Sequence, residues 1–265
     1  MNNKIYQKTL EMIPPLSLLL LWELFVLIAV LDARFFPAPH VILISLWEQI
    51  TLGYYWHDVS SSLIRITLGF VIGSVVGVAI GISIGISSLC RALFEPIVAA
   101  TFPIPKLALM PLIILLFGLD ELGKVIVIAI GVLFPVIIQT TAGISNVDQT
   151  YKEVAYNYGA SRWNYFKTVA LPAAAPSIFI GLKLGSGMAI LLIVAAEMQG
   201  ASAGIGYRIW SAYSLFDIPT MFVALSTIAL LGYLSYTVIE KLEHRVISWH
   251  RSPQKERDAS GKNKD

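Results

Sequence analysis

Charge is scarce in this chain. Lys, Arg, Asp and Glu make up 14% of its 265 residues, against about 25% in ordinary soluble domains. A soluble fold of this size cannot cover its surface with so few charges. Cysteine is almost absent: Cys90 stands alone, which excludes an intrachain disulfide. It lies beside Arg91 in a short polar turn and reads as a small apolar filler. His40, His57, His244 and His250 are scattered, so no His/Cys group has metal-ligand spacing. No glycine-rich P-loop of the Gly-x-x-x-x-Gly-Lys-Ser/Thr type occurs. No catalytic residue, metal ligand or cofactor is assigned to the chain, and nothing in it points to nucleic acid.

Apolar length is abundant. Hydrophobic residues make up 56% of the chain, and the mean hydropathy is +0.73. Apolar runs of about 18 or more residues read as membrane-crossing helices. The expected fold is an all-α integral membrane protein with six transmembrane helices, near 14–31, 63–88, 92–117, 122–144, 174–199 and 219–247. Pro14 and Pro15 suit the start of the first, where a missing N–H costs nothing. Lys4 and Lys8 precede an apolar run, as in a signal peptide. No small-residue cleavage site follows Leu31, so this span is read as uncleaved. Residues 41–52 suit a short amphipathic helix at the interface. The third span is irregular, with Pro103, Pro105 and Pro111 inside it, and the fourth contains Pro135. Residues 1–13 form an N-terminal segment and 14–249 the membrane domain. The stretch 250–265 reads as a charged, disordered tail.

Cations set the orientation. With six spans, one side collects Lys4, Lys8, Arg91, Lys152, Arg162, Lys167, Lys241, Arg245, Arg251, Lys255, Arg257, Lys262 and Lys264. The other side has Arg34, Arg65, Lys124 and Arg208, diluted by Asp32, Glu48, Asp58, Asp120, Glu121 and Asp217. Both termini and the loop between spans four and five are therefore expected in the cytoplasm.

Within the second span Gly69, Gly73, Gly77, Gly81 and Gly85 recur every fourth residue, lining one helix face. Another helix can approach such a face closely, within one subunit or across a seam between two. The prolines of spans three and four free backbone carbonyls that protein or water must satisfy. Broken helices of this kind often border a translocation path. Pro103, Pro105, Lys106 and Glu197 are candidates for that path. Glu23 and Lys183 are further intramembrane charges, and structural pairing is the favoured role for each of the four ionisable groups. Lys183 also has the reach to snorkel to the cytoplasmic interface.

The loop between spans four and five is more organised than a connector needs. Residues 151–158 form good helix, Gly159 suits a left-handed helix end, and Ser161 suits the cap of a second helix over 162–169. Leu171-Pro172 then marks a boundary. A short surface helix of this kind has one face free for a partner.

These residues resemble the cytoplasmic loop of permease subunits of ATP-binding-cassette importers. That loop reads Glu-Ala-Ala, three residues, Gly, nine residues, then Ile-x-Leu-Pro. Glu153, Ala155, Gly159, Leu171 and Pro172 match at the same spacing, with Val154 and Val169 as conservative replacements. The segments Pro103-Ile104-Pro105-Lys106, Met110-Pro111-Leu112, Phe117-Gly118 and Gly123-Lys124 resemble the branch importing nitrate, sulfonates, taurine or bicarbonate. So do Ser62-Leu63-Ile64-Arg65, Gly69-Phe70 and Ala195-Ala196-Glu197-Met198; the likeness covers 37–249.

The resemblance implies two permease subunits, expected as a homodimer, forming the pore in a bacterial inner membrane. It implies two cytoplasmic ATPase subunits that bind ATP and Mg, and an extracytoplasmic binding protein that delivers a small anion. A coupling helix near 149–159 would receive the ATPase stroke. Glu153, Ala155, Tyr156, Asn157, Gly159, Arg162, Leu171 and Pro172 are the residues expected at that contact. Three rivals stand beside this reading: a self-sufficient secondary transporter or channel, a membrane-embedded enzyme, and an exporter subunit. No internal duplication favours the first, no constellation of polar groups the second, and the Glu-Ala-Ala type loop argues against the third.

Overall fold

A computed structural model describes residues 2–118, 120–247 and 249, with side chains from residue 13 onward. The expected tail at 250–265 lies outside these residues. The described chain is helical, with no strand among the described residues. Its helices are α1 (Asn2–Leu27), α2 (Pro39–Thr51), α3 (Tyr54–Ile86), α4 (Ser88–Thr101), α5 (Met110–Phe117) and α6 (Glu121–Ser145). They continue as α7 (Gln149–Asn157), α8 (Arg162–Tyr165), α9 (Leu171–Met198), α10 (Ile205–Ser214) and α11 (Ile218–Val246).

Four helical stretches are long and apolar enough to cross a membrane: Tyr54–Ile86, Glu121–Ser145, Arg162–Met198 and Ile218–Val246. A fifth exists if α4 and the Lys106–Phe117 segment are one span bent by 91°. The chain is thus a multi-pass membrane protein. The apolar part of α1, Ile13–Leu27, is shorter than the length that read as a span in the sequence. The helix stops where Ala29 takes a left-handed φ of 59°.

Several boundaries differ from expectation. Helix α1 starts at Asn2 and runs through Pro14 and Pro15 rather than beginning at them. Proline's fixed φ is helical, but each of the two rings removes a backbone hydrogen bond and crowds the carbonyl four residues earlier. Helix α3 starts at Tyr54, well before residue 63, because its polar first turns are buried by side-chain pairing. Asp58 and Ser62 are both buried there. Leu171-Pro172 is not a boundary either. The chain stays helical from Arg162 to Met198 through a π turn at Phe166–Ala170. The wider turn shifts the hydrogen-bond register, with Leu171 N–H donating to Phe166 O, just where Pro172 has no N–H to give. Helix α10 was not foreseen.

The chain divides into two compact units, residues 1–63 with 197–230, and residues 64–196 with 231–265. In the first, Trp22 packs on Phe222 with ring centres 5.6 Å apart. Gln49 donates to Thr220 Oγ1 at 3.3 Å, and Glu23 accepts from His40 N–H while its Oε1 lies 2.6 Å from His40 Nδ1.

In the second unit α3 packs on α6 through the glycine face. A Cβ built on Gly69 would stand 2.6 Å from Ile128 Cβ, on Gly73 2.5 Å from Ala129 O, and on Gly77 2.9 Å from Val136 Cβ. On Gly81 and Gly85 it would stand 2.6 Å from Thr140 and Ile144 Cβ. The α6 side chains opposite also recur every fourth residue. Two rows of equal period therefore mesh, as ridges do in grooves.

Candidate functional site

The surface segment after α6 is built from strong local signals. Asp148 caps α7 by accepting the Thr150 backbone N–H at 2.8 Å. At the other end Ala160 N–H donates to Ala155 O and Gly159 N–H to Tyr156 O, each at 2.9 Å. Those two bonds are the Schellman closure, and they require a left-handed residue at Gly159, whose φ is +72°. Ser161 then accepts from Asn164 N–H at 3.2 Å and starts α8. The Tyr156 and Tyr165 rings stack with centres 6.3 Å apart, tying α7 to α8.

This defined backbone carries an exposed apolar and aromatic face. Tyr158 is 89% exposed and Trp163 68%, with Tyr151, Val154 and Tyr156 also exposed. Glu153, Asn157 and Arg162 are exposed beside them, Ala155 is half-buried, and Leu171 and Pro172 lie half-buried where the long helix departs. Exposed apolar groups gathered in this way mark protein, membrane or ligand contacts.

The Asp148 carboxyl sits below the ordinary carboxylate range because the Thr150 backbone N–H, then its side chain, stabilise the charged form. A lowered folded value means a contribution to α7 that is present above about pH 4, the unfolded carboxylate value, and lost as pH falls through the lower folded value. Hydrogen exchange over 149–152 is therefore expected to speed up below that range, and Asp148→Ala is expected to show the fast rate at neutral pH. Equal rates for parent and variant at pH 7 would dispose of the cap.

Phe102–Pro105 separates α4 from a 3₁₀ turn at Lys106–Leu109. Pro103 and Pro105 sit in the break, and the buried Lys106 closes it. Its Nζ donates to Thr101, Phe102 and Ile104 carbonyl oxygens, each at 2.9 Å, and lies 4.0 Å from the centre of the Phe134 ring. An ammonium has three donors, and three carbonyls engage them. Lys106→Met is expected to lower the unfolding midpoint, since each charge-assisted bond contributes about 1.5–3 kcal/mol. Lys106→Arg is expected to recover part of the loss. An unchanged midpoint in the methionine variant would show that the break holds without the clasp.

Glu197 is 1% exposed and belongs to a different group. Its carboxylate accepts from Ser62 Oγ at 2.8 Å and from Gly206 N–H at 2.8 Å. Ser62 Oγ accepts from Ile205 N–H at 2.8 Å, and Asp58 accepts from Gly204 N–H at 2.9 Å and from Arg208. Three successive backbone N–H groups at the start of α10 thus bind side chains of α3 and α9. Gly204 has φ +126° and no room for a Cβ beside the Glu197 carboxylate. Asp58 and Ser62, four apart on one face of α3, were the local signal for this cluster; from the sequence Asp58 counted only as an outer-side acid and Ser62 only as part of a family-like segment.

In the second unit Lys183 pairs with Glu243 at 2.5 Å and borders an open cavity of about 440 Å³ with Ser186, Gly187, Gly232 and Tyr236. Arg65 and Lys124, counted from the sequence among the cations of the outer side, are 4% and 6% exposed. Arg65 forks onto Glu121 with its Nε and, at 2.6 Å, its Nη2. Among the described residues no group of three or more His, Cys, Asp or Glu is placed to hold a metal ion.

Comparison with known proteins assigns this architecture. Residues 69–248 match the family described as binding-protein-dependent transport system inner membrane component. The chain is 36% identical over 236 residues, 89% of it and 90% of the relative, to a protein named as the aliphatic sulfonates transport permease SsuC of Escherichia coli K12. It is 35% identical to the riboflavin transport system permease RibX of Chloroflexus aurantiacus, over 90% of each chain. It is 35% identical to the nitrate import permease NrtB of Leptolyngbya laminosa, over 74% of this chain and 70% of that one. Inward-facing MetNI, a methionine ABC transporter, shares the fold, with a TM-score of 0.63 at 16% identity over 73% of this chain and 96% of that one. The family match spans most of the chain and the membrane helices agree with it: this protein belongs to the binding-protein-dependent transport system inner membrane components, the ABC transporter permeases.

Proposed function

We propose that the chain is the membrane-spanning subunit of a type I ABC importer and forms the path for a small anion, with nitrate, bicarbonate and sulfonates such as taurine as the class. The observation that carries this reading is the capped α7–Gly159–α8 segment. It is rigid, exposed and aromatic, and it repeats the spacing of an importer loop. Two cytoplasmic ATPase subunits bind ATP and Mg and grip α7, with Glu153, Asn157 and Arg162 at the contact. A second copy of the chain completes the pore, and an extracytoplasmic binding protein delivers the anion. The protein crosses a bacterial inner membrane six times, with α1 and the bent α4–α5 pair each counted as a span and both termini cytoplasmic. The break at Pro103 and Pro105, held by Lys106, borders the path, and Glu197 is a further candidate for it.

Reconstitution tests this directly. The chain in liposomes is expected to take up no anion alone and to take it up with ATP once the ATPase subunits and binding protein are added. Uptake by the chain alone would make it a self-sufficient transporter.

A further inference from the structure

Building on the importer reading, we infer that Arg65 and Lys124 form an oxyanion-binding site on the delivery side of the permease, which the Glu121 carboxylate occupies in place of substrate. The three groups lie within one unit of the fold, on α3 and at the start of α6.

The arrangement is lopsided for a structural ion pair. Both cations are buried, with side-chain exposures of 5% and 7%, whereas the Glu121 side chain is 66% exposed. Burying cations in a membrane protein is costly, so such groups are retained where they do something. The exposed partner is the one that can leave, because a solvated carboxylate recovers its hydration when it swings out. Arg65 presents a planar fork, with Nε to one carboxylate oxygen and Nη2 to the other at 2.6 Å. Lys124 Nζ faces the second oxygen from 3.5 Å.

Two oxygens about 2.2 Å apart, met by a guanidinium fork with an ammonium behind, describe a carboxylate, a nitrate edge or two oxygens of a sulfonate alike. The Glu121 oxygens therefore stand in for those of an incoming anion. Neither cation is without another interaction in the fold. In the proposed orientation the cluster lies on the side where a binding protein releases its cargo. Glu121 then acts as a tethered competitor: it keeps the site filled at rest and pushes the anion onward.

The test is calorimetric titration of methanesulfonate into the full chain in lipid nanodiscs, with neutral dimethyl sulfone as the isosteric control. Glu121→Gln keeps the shape and removes the competing charge. A tethered group competes at an effective concentration in the millimolar range, so this variant is expected to bind methanesulfonate about tenfold more tightly than the parent. Arg65→Lys keeps the charge and loses the fork, and is expected to bind it about tenfold more weakly than the parent. Dimethyl sulfone is expected not to bind. An identical isotherm for parent and Glu121→Gln, or equal binding of the sulfone, would overturn the site. Uptake by the assembled complex is read in parallel. ATP-driven uptake with no change in binding refutes the anion site alone, and tighter binding without ATP-driven uptake refutes the importer reading alone.

Discussion

A Gly159→Pro variant is expected to reach the membrane in normal amount and to support neither uptake nor substrate-stimulated ATP hydrolysis in the assembled complex. Proline locks φ near −65°, whereas Gly159 sits at +72°. Proline also removes the N–H that donates to Tyr156 O. Both bonds of the helix closure depend on that turn, so α7 would leave α8 in another direction and the stacked Tyr156–Tyr165 pair would part. Packing is not at issue, because nothing lies within 4 Å of a Cβ built on Gly159. Gly159→Ala isolates the backbone effect: it carries a left-handed strain of about 1 kcal/mol and is expected to reduce coupling rather than abolish it. Glu153→Lys reverses a charge on the exposed face without touching the turn, and is expected to uncouple as well. Parental ATPase stimulation in both Gly159→Pro and Glu153→Lys would remove this surface from the coupling mechanism.

A single methyl group at the α3–α6 contact is expected to destabilise the protein markedly. The Cβ of Gly73→Ala would fall 2.5 Å from Ala129 O, a backbone atom that cannot rotate away. The helices must separate, and separation weakens the neighbouring contacts at Gly69 and Gly77 too. Overpacking commonly costs about 1–3 kcal/mol. In lipid there is no compensating hydrophobic drive between helices, so close packing is what holds them. The contrast is Gly187→Ala on α9, where nothing stands within 4 Å. That change is expected to be neutral or to stabilise by up to about 1 kcal/mol through helix propensity. Thermal unfolding in one detergent reads both variants. Equal midpoints would mean that α3 and α6 are not in contact through this face.

The surface segment was legible because its signals are local. A cap acts on an N–H two or three residues away, and Gly159 closes a turn of its own helix. Those interactions form whatever the rest of the chain does. The same locality explains the misreadings. Pro14 and Leu171-Pro172 looked like boundaries because proline disfavours its own helix turn. The protein overrides that preference with a long helix in one place and a π turn in the other. Lys106 stood out as a charge in an apolar run, but its three carbonyl partners exist only once the chain bends between α4 and α5.

Hydropathy, glycine period and capping residues thus announced a helical membrane protein, its close-packing face and the capped turns of its surface segment, because each is a property of residues a few positions apart. The partners of the buried charges were not readable in that way. Arg65 meets Glu121 across 56 residues, Lys183 meets Glu243 across 60, Ser62 meets Glu197 across 135, and Asp58 meets Arg208 across 150. A low-dielectric interior demands that each such group be paired or hydrogen-bonded. Which partner it finds depends on which helices pack side by side, and that was decided by the fold.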